Sequence, residues 1–94
     1  MKIERAQQYL IFIGANVRRL RSKGGFTQEQ LAEMAELEPS FIQKVERGVS
    51  NVSVESLVRL AEALGVEPGR LFRASKVPDR KVGRPKQSRD ADQR

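Results

Sequence analysis

Ser40, Gln43, Lys44 and Arg47 are separated by three, four and seven residues, so a helix would carry all four on one face. The set combines hydroxyl, amide and cationic donors and contains no acid. Gln and Lys side chains match the hydrogen-bonding edges of adenine and guanine in a DNA major groove, and Ser can bond to several bases. Ile42 and Val45 supply the apolar side of the same segment. The spacing is met equally by a groove-reading surface and by an ordinary solvated helix face. A solvated face usually mixes both signs of charge, however, and here the acids Glu29, Glu33, Glu36 and Glu38 all precede the segment.

Other chemistries lack their parts. The 94 residues include no Cys and no His, which removes disulfides, thiol nucleophiles and the usual proton shuttle at neutral pH. A zinc site would have to be built from carboxylates alone. No nucleophile–base set can be assembled, so the chain is expected not to be an enzyme and to need no cofactor or metal. An apolar run from Tyr9 to Ala15 is at the short limit for a secretory signal and far too short to span a bilayer. A cytoplasmic protein without membrane association is expected.

The net charge of +6 is unevenly placed. Residues 73–94 hold eight basic and three acidic side chains, net +5, whereas residues 1–72 hold ten and nine. A basic segment beside a nearly neutral body suits a polyanionic partner, nucleic acid before an anionic membrane.

The elements that must position the polar face are helical. Ile3, Ala6, Leu10, Ile13, Val17 and Leu20 recur at three and four residues and stop at Gly24-Gly25. Tyr9, Ile11 and Phe12 fall off this stripe and call for some other cover. Thr27-Gln28-Glu29-Gln30 is a capping box opening a second helix, with Leu31, Ala32 and Ala35 inward, that ends near Glu36. A third opens at Pro39 and closes at Gly48. The fourth starts behind Ser53, burying Val54, Leu57, Leu60, Ala61 and Leu64 before Gly65. Pro68 begins a last short helical turn that carries Leu71 and Phe72 to the core. The expected fold is all-α: a compact bundle of five short helices, with a helix-turn-helix formed by the second and third. Residues 1–75 form this domain. Residues 76–94, rich in charge and poor in aliphatics, are expected to be a disordered basic tail.

Three ordered stretches, Gly25-Phe26-Thr27-Gln28-Glu29-Gln30-Leu31-Ala32, Pro39-Ser40-Phe41-Ile42-Gln43-Lys44-Val45-Glu46-Arg47-Gly48 and Leu60-Ala61-Glu62-Ala63-Leu64-Gly65-Val66, resemble the Cro-and-phage-repressor (XRE) helix-turn-helix family over about residues 10–72. Within that family the chain is similar in length to the controller proteins of restriction–modification systems. The resemblance implies that the five-helix bundle is of the phage-repressor-like DNA-binding type, and that Ser40, Gln43 and Lys44 reach base edges. It implies that Thr27, Gln28, Arg47, Ser50 and Asn51 touch the DNA backbone. It also implies that Arg21 and Glu46 tie the first helix to the third, and that small Ala32 lets the two helices of the motif approach.

Each DNA role has a plainer counterpart. Thr27 is a good helix cap whatever else it does. Gln28 could be a solvated first-turn residue, Arg47 could complement a helix C-terminus, and Ser50 and Asn51 could simply build the turn. Phe41 could pack at the core edge or press on a thymine methyl. Three positions depart from the family pattern. Glu36 stands where a left-handed Gly is common, Glu38 is a weak cap carrying negative charge towards DNA, and Pro39 replaces a polar position. Affinity per half-site is therefore expected to be modest, with reliance on dimerisation or the tail. In the tail, Arg80-Lys81-Val82-Gly83-Arg84-Pro85-Lys86 has a Gly-Arg-Pro core similar to AT-hook peptides. Arg84 and Lys86 are thus candidates for a narrow minor groove, beside general phosphate attraction or simple solubilisation.

The reading that follows is a sequence-specific DNA-binding transcriptional regulator, a repressor or controller, acting as a homodimer on a palindromic operator in double-stranded DNA. Tyr9, Ile11 and Phe12, or Leu71 and Phe72, are candidates for the dimer face. Two other classes fit the same fold: an antitoxin-like protein-interaction module that also binds its own promoter, and an adaptor for RNA or the transcription machinery.

Overall fold

A computed structural model describes the backbone of residues 3–74 and the side chains from Arg5 onward. Four α-helices follow one another: α1 (Ile3–Gly24), α2 (Gln28–Ala35), α3 (Pro39–Glu46) and α4 (Val54–Leu64). A 3-10 turn, Pro68–Phe72, closes the described chain, and no strand occurs among the described residues. The expected fifth helix is thus corrected to a 3-10 turn. Gly65 ends α4 in the left-handed region and Pro68 restarts the chain three residues later. The five residues available form one tight turn, bonded from Arg70 N–H to the Glu67 carbonyl at 3.0 Å. Nor are all the helices short: α1 has 22 residues and is about 33 Å long. The tail candidates Arg84 and Lys86, and the proposed boundary at 75/76, lie outside the described residues.

The core lies where α1, α2, α3, α4 and the 3-10 turn converge. Val17, Leu31, Ile42, Val45, Leu60 and Leu71 are fully buried, with Ile13, Ala32, Ala35, Leu57 and Ala61 around them. Leu20, Leu64 and Phe41 pack against its edge. Two side chains expected inward on α4 and the last turn are exposed instead. Val54 is 76% exposed, because it stands at the very first position of α4, outside the turns that face the core. Phe72 is 43% exposed, because Leu71, its neighbour on the 3-10 turn, takes the inward direction.

Phe72 nevertheless has a use. Its ring lies 6.3 Å from that of Tyr9, which meets Phe12 edge-on at 5.7 Å. Of the three residues off the α1 stripe, Tyr9 thus meets the chain's own last turn and Phe12 meets Tyr9, both half-buried, while Ile11 stays at the surface. Leu71, offered as a dimer-face residue, is fully buried and cannot belong to such a face.

Two features set the angle of α3. The turn after α2 passes through Glu36 in the left-handed region (φ 58°, ψ 46°), and Leu37 N–H bonds back to the Ala32 carbonyl at 2.9 Å. The other is a close crossing of α1 and α3 at Gly14, where a Cβ would lie 2.2 Å from the Val45 carbonyl oxygen.

Candidate nucleic-acid interface

The start of α2 is built by its capping box. Thr27 is extended, its Oγ1 accepts from Gln30 N–H at 3.0 Å, and its own N–H donates to Gln30 Oε1 at 2.8 Å. Thr27 is exposed. Helix geometry leaves the first-turn amides pointing out of this end, where the dipole favours an anion.

Ile42 and Val45, buried as expected, fix the rotation of α3 about its axis. Ser40, Gln43, Lys44 and Arg47 consequently all stand in solvent. None of these four side chains has a hydrogen-bond or ion-pair partner among the described residues. The face carries two positive charges and no acid. Glu38, the N-cap, makes no side-chain cap bond, in keeping with the weak cap its identity predicts. Phe41 takes the packing role at the core edge.

Behind this face sits an ion pair. Arg21 Nε donates to Glu46 Oε2 at 2.6 Å and Nη2 to Oε1 at 3.1 Å, while Nη1 donates to the Phe26 carbonyl at 2.8 Å. Both side chains are largely buried. The hydrogen bond to Glu46, with its negative charge and that of Glu29, holds the Arg21 guanidinium above its usual pKa against the opposing effect of burial. One pair thus ties α1 to α3 and to the approach to α2, as the resemblance implied.

Gln28 joins the same cluster: its Nε2 donates to Glu46 Oε1 at 3.0 Å. That bond occupies one of the amide's two N–H donors, leaving the other and the backbone amide for any anion. Ser50 and Asn51 lie in the loop after α3, with Ser50 Oγ donating to the Asn51 carbonyl at 3.2 Å and Asn51 exposed. The α2 start, the α3 face and this loop are the parts of the candidate surface that the described residues contain.

Two structural residues were missed by the sequence reading. Asn16 is fully buried and donates through Nδ2 to the carbonyls of Leu71 (2.8 Å) and Arg73 (2.9 Å), while Oδ1 accepts from Arg19. It binds the last turn to α1. Gly14 provides the close helix crossing. An Asn and a Gly in the middle of an amphipathic helix were the available signals.

A short two-helix motif braced against a long first helix, presenting an acid-free polar face on its second member, defines a helix-turn-helix domain. The family model HTH_3, helix-turn-helix, matches residues 17–71. The chain belongs to this family, of the XRE type. It is similar to the HTH-type transcriptional regulator RamB of Mycobacterium tuberculosis, 39% identical over 60% of this chain but only 12% of RamB's length. Control protein C.BamHI of Bacillus amyloliquefaciens is 39% identical over 62% of this chain and 73% of that protein. Among solved structures, the restriction-modification controller protein C.AhdI of Aeromonas hydrophila superposes with a TM-score of 0.65 at 43% identity, covering 67% of this chain and 96% of the other. SinR, the master regulator for biofilm formation, solved in complex with DNA, superposes at 0.62 with 27% identity, covering 65% and 98%. Among the described residues no helix is long and apolar enough to cross a membrane, and no three His, Cys, Asp or Glu residues cluster as metal ligands.

Proposed function

We propose that the protein is a sequence-specific transcriptional regulator that reads a palindromic DNA operator as a homodimer. The observation that carries the reading is the exposed, acid-free face of Ser40, Gln43, Lys44 and Arg47 on the second helix of the motif, without partners among the described residues. In this reading Ser40, Gln43 and Lys44 reach base edges, while Thr27, Gln28, Arg47, Ser50 and Asn51 hold the DNA backbone. Residues 1–75 are the reading unit and residues 76–94 a basic arm that adds phosphate attraction, with Arg84 and Lys86 its candidates for the minor groove. The similarity to control protein C.BamHI, to the restriction-modification controller protein C.AhdI and to a regulator solved on DNA supports the same reading.

Two copies are needed for a simple reason. One α3 of eight residues presents few base-reading side chains, and Glu38 brings a negative charge to its start. Two recognition helices about 34 Å apart would read successive major grooves and double the contacts. Ile11 and Phe72, with half-buried Tyr9 and Phe12, offer an apolar surface for the pairing.

The test is selection by the pure protein from randomised duplex DNA at near-physiological salt, followed by sequencing. Enrichment of an inverted repeat is the expected result. Recovery without a motif would leave only phosphate attraction and shift the assignment to a protein-interaction module. Tight binding of a monomer to a single half-site would refute the dimeric part alone.

A further inference from the structure

We propose that Arg59 on α4 is a positioning residue for operator binding, acting by holding Glu36 in the left-handed conformation that sets α3 against α2. The inference rests on the DNA-binding reading above. Among the described residues Glu36 is the one non-glycine with positive φ. That conformation disfavours a side-chain-bearing residue by roughly tenfold relative to the right-handed region. Such a residue persists only where its surroundings over-determine it.

The surroundings here include a guanidinium. Arg59 Nη1 lies 3.3 Å from the Glu36 carbonyl oxygen and 3.6 Å from its Oε1, so one group meets both the backbone and the side chain of the strained residue. Nη2 donates to Glu55 Oε2 at 2.9 Å, one turn earlier on α4, which aims the guanidinium at the turn. Arg59 is also the one base lining the open groove between α2 and α4, beside Met34, Ala35, Glu36, Glu62 and Ala63. The Glu36 carbonyl meets Nη1 at its ψ of 46°, and the right-handed helical region, with ψ about −42°, would turn it away. The contact therefore favours the left-handed state, beyond the ordinary attraction of a solvent-exposed ion pair.

Arg59 lies on neither α2 nor α3, yet the turn it holds sets how the phosphate-facing start of α2 and the base-facing side of α3 present together. Loosening that turn should weaken DNA binding without removing a single DNA contact.

The experiment measures the affinity of full-length variants for the selected operator, with thermal midpoints alongside. Arg59→Ala is expected to bind about fivefold more weakly than wild type. In a Glu36→Gln background, which removes the carboxylate but keeps the backbone strain, loss of Arg59 should still cost several-fold. In a Glu36→Gly background it should cost less than twofold, because glycine adopts the conformation unaided. The charge lost with Arg59 is the same in each background and cancels. Ser53→Ala, which removes the N-cap of α4, should lower the midpoint and leave affinity unchanged. Equal losses in the Gln and Gly backgrounds would overturn the proposal, as would wild-type affinity for Arg59→Ala. If the wild type selected no DNA motif, the DNA reading would fail by itself. The same comparison of midpoints then tests the clamp, and equal shifts in the Gln and Gly backgrounds would overturn it.

Discussion

Replacing Gly14 by alanine should destabilise the protein although it improves the local helix. Alanine in a helix interior is favoured over glycine by about 1 kcal/mol, so propensity alone predicts a gain. The added Cβ, however, would lie 2.2 Å from the Val45 carbonyl oxygen and 3.0 Å from that of Glu46. A carbon normally approaches a carbonyl oxygen no closer than about 3.3 Å, so α1 and α3 must part by roughly 1 Å. Both obstructing atoms are backbone and cannot rotate aside. Parting the helices loosens Ile13 and Val17 against Ile42 and Val45, which lose a quarter to a half of their contact attraction at such a gap. It also stretches the Arg21–Glu46 pair, which crosses the same interface. Overpacking of this kind costs about 1–3 kcal/mol, and a backbone obstruction belongs at the upper end. The net loss is then about 2 kcal/mol. For a folded unit of this size that lowers the melting temperature by roughly 10 °C. Thermal unfolding followed by far-ultraviolet circular dichroism reads the effect. Gly69→Ala is the control, because a Cβ there meets nothing within 4 Å. A Gly14→Ala midpoint at or above wild type would refute the reasoning.

Other expectations are as direct. Asn16→Leu leaves the carbonyls of Leu71 and Arg73 without their donor and should cost about 2–3 kcal/mol; an unchanged melting temperature would count against the buried bonds. Gln43→Ala should relax base preference at one operator position, whereas Arg47→Ala should weaken all sequences alike and reduce the salt slope by about one; quantitative binding to operator variants separates the two. Deleting residues 76–94 should flatten the salt dependence of binding while retaining the preferred sequence, and an unchanged slope would remove the tail from the interface. The raised pKa of Arg21 means that its folded-state charge is held more firmly than in the unfolded chain. Its stabilisation is therefore complete below the ordinary guanidinium range and is lost only as pH climbs through the still higher folded value. The melting difference between wild type and Arg21→Met should accordingly stay constant between about pH 8 and 10.

What could be read from the sequence was what local physics decides. The capping box at Thr27, the inward pair Ile42 and Val45, and the glycine stop after α4 each depend on residues within one turn, and each was legible there. The polar face of α3 was legible for the same reason, since burying Ile42 and Val45 leaves the other side in solvent wherever the helix docks. The orientation of Phe72 was not, because periodicity says little about a five-residue turn. Val54 shows the complementary failure: it has the right spacing for the core, but spacing does not say where the neighbouring elements end.

The separation of two helices lies still further from the sequence. A stripe of Ile13, Val17 and Leu20 shows which side of α1 turns inward, and nothing in it says that the backbone of α3 comes close enough to exclude a methyl group at residue 14. Gln28 illustrates the consequence for the candidate site. Its place at the start of α2 makes it a phosphate contact or a solvated residue on local grounds. Only the approach of α3, held at that distance by Gly14, brings Glu46 within 3.0 Å of its amide. The structure therefore gives Gln28 a task on the protein side, joining the start of α2 to the end of α3, that neither local reading contained. Its second Nε2 hydrogen and its backbone amide leave the DNA-facing role open to it, so the same residue can brace the two elements and meet the phosphate between them.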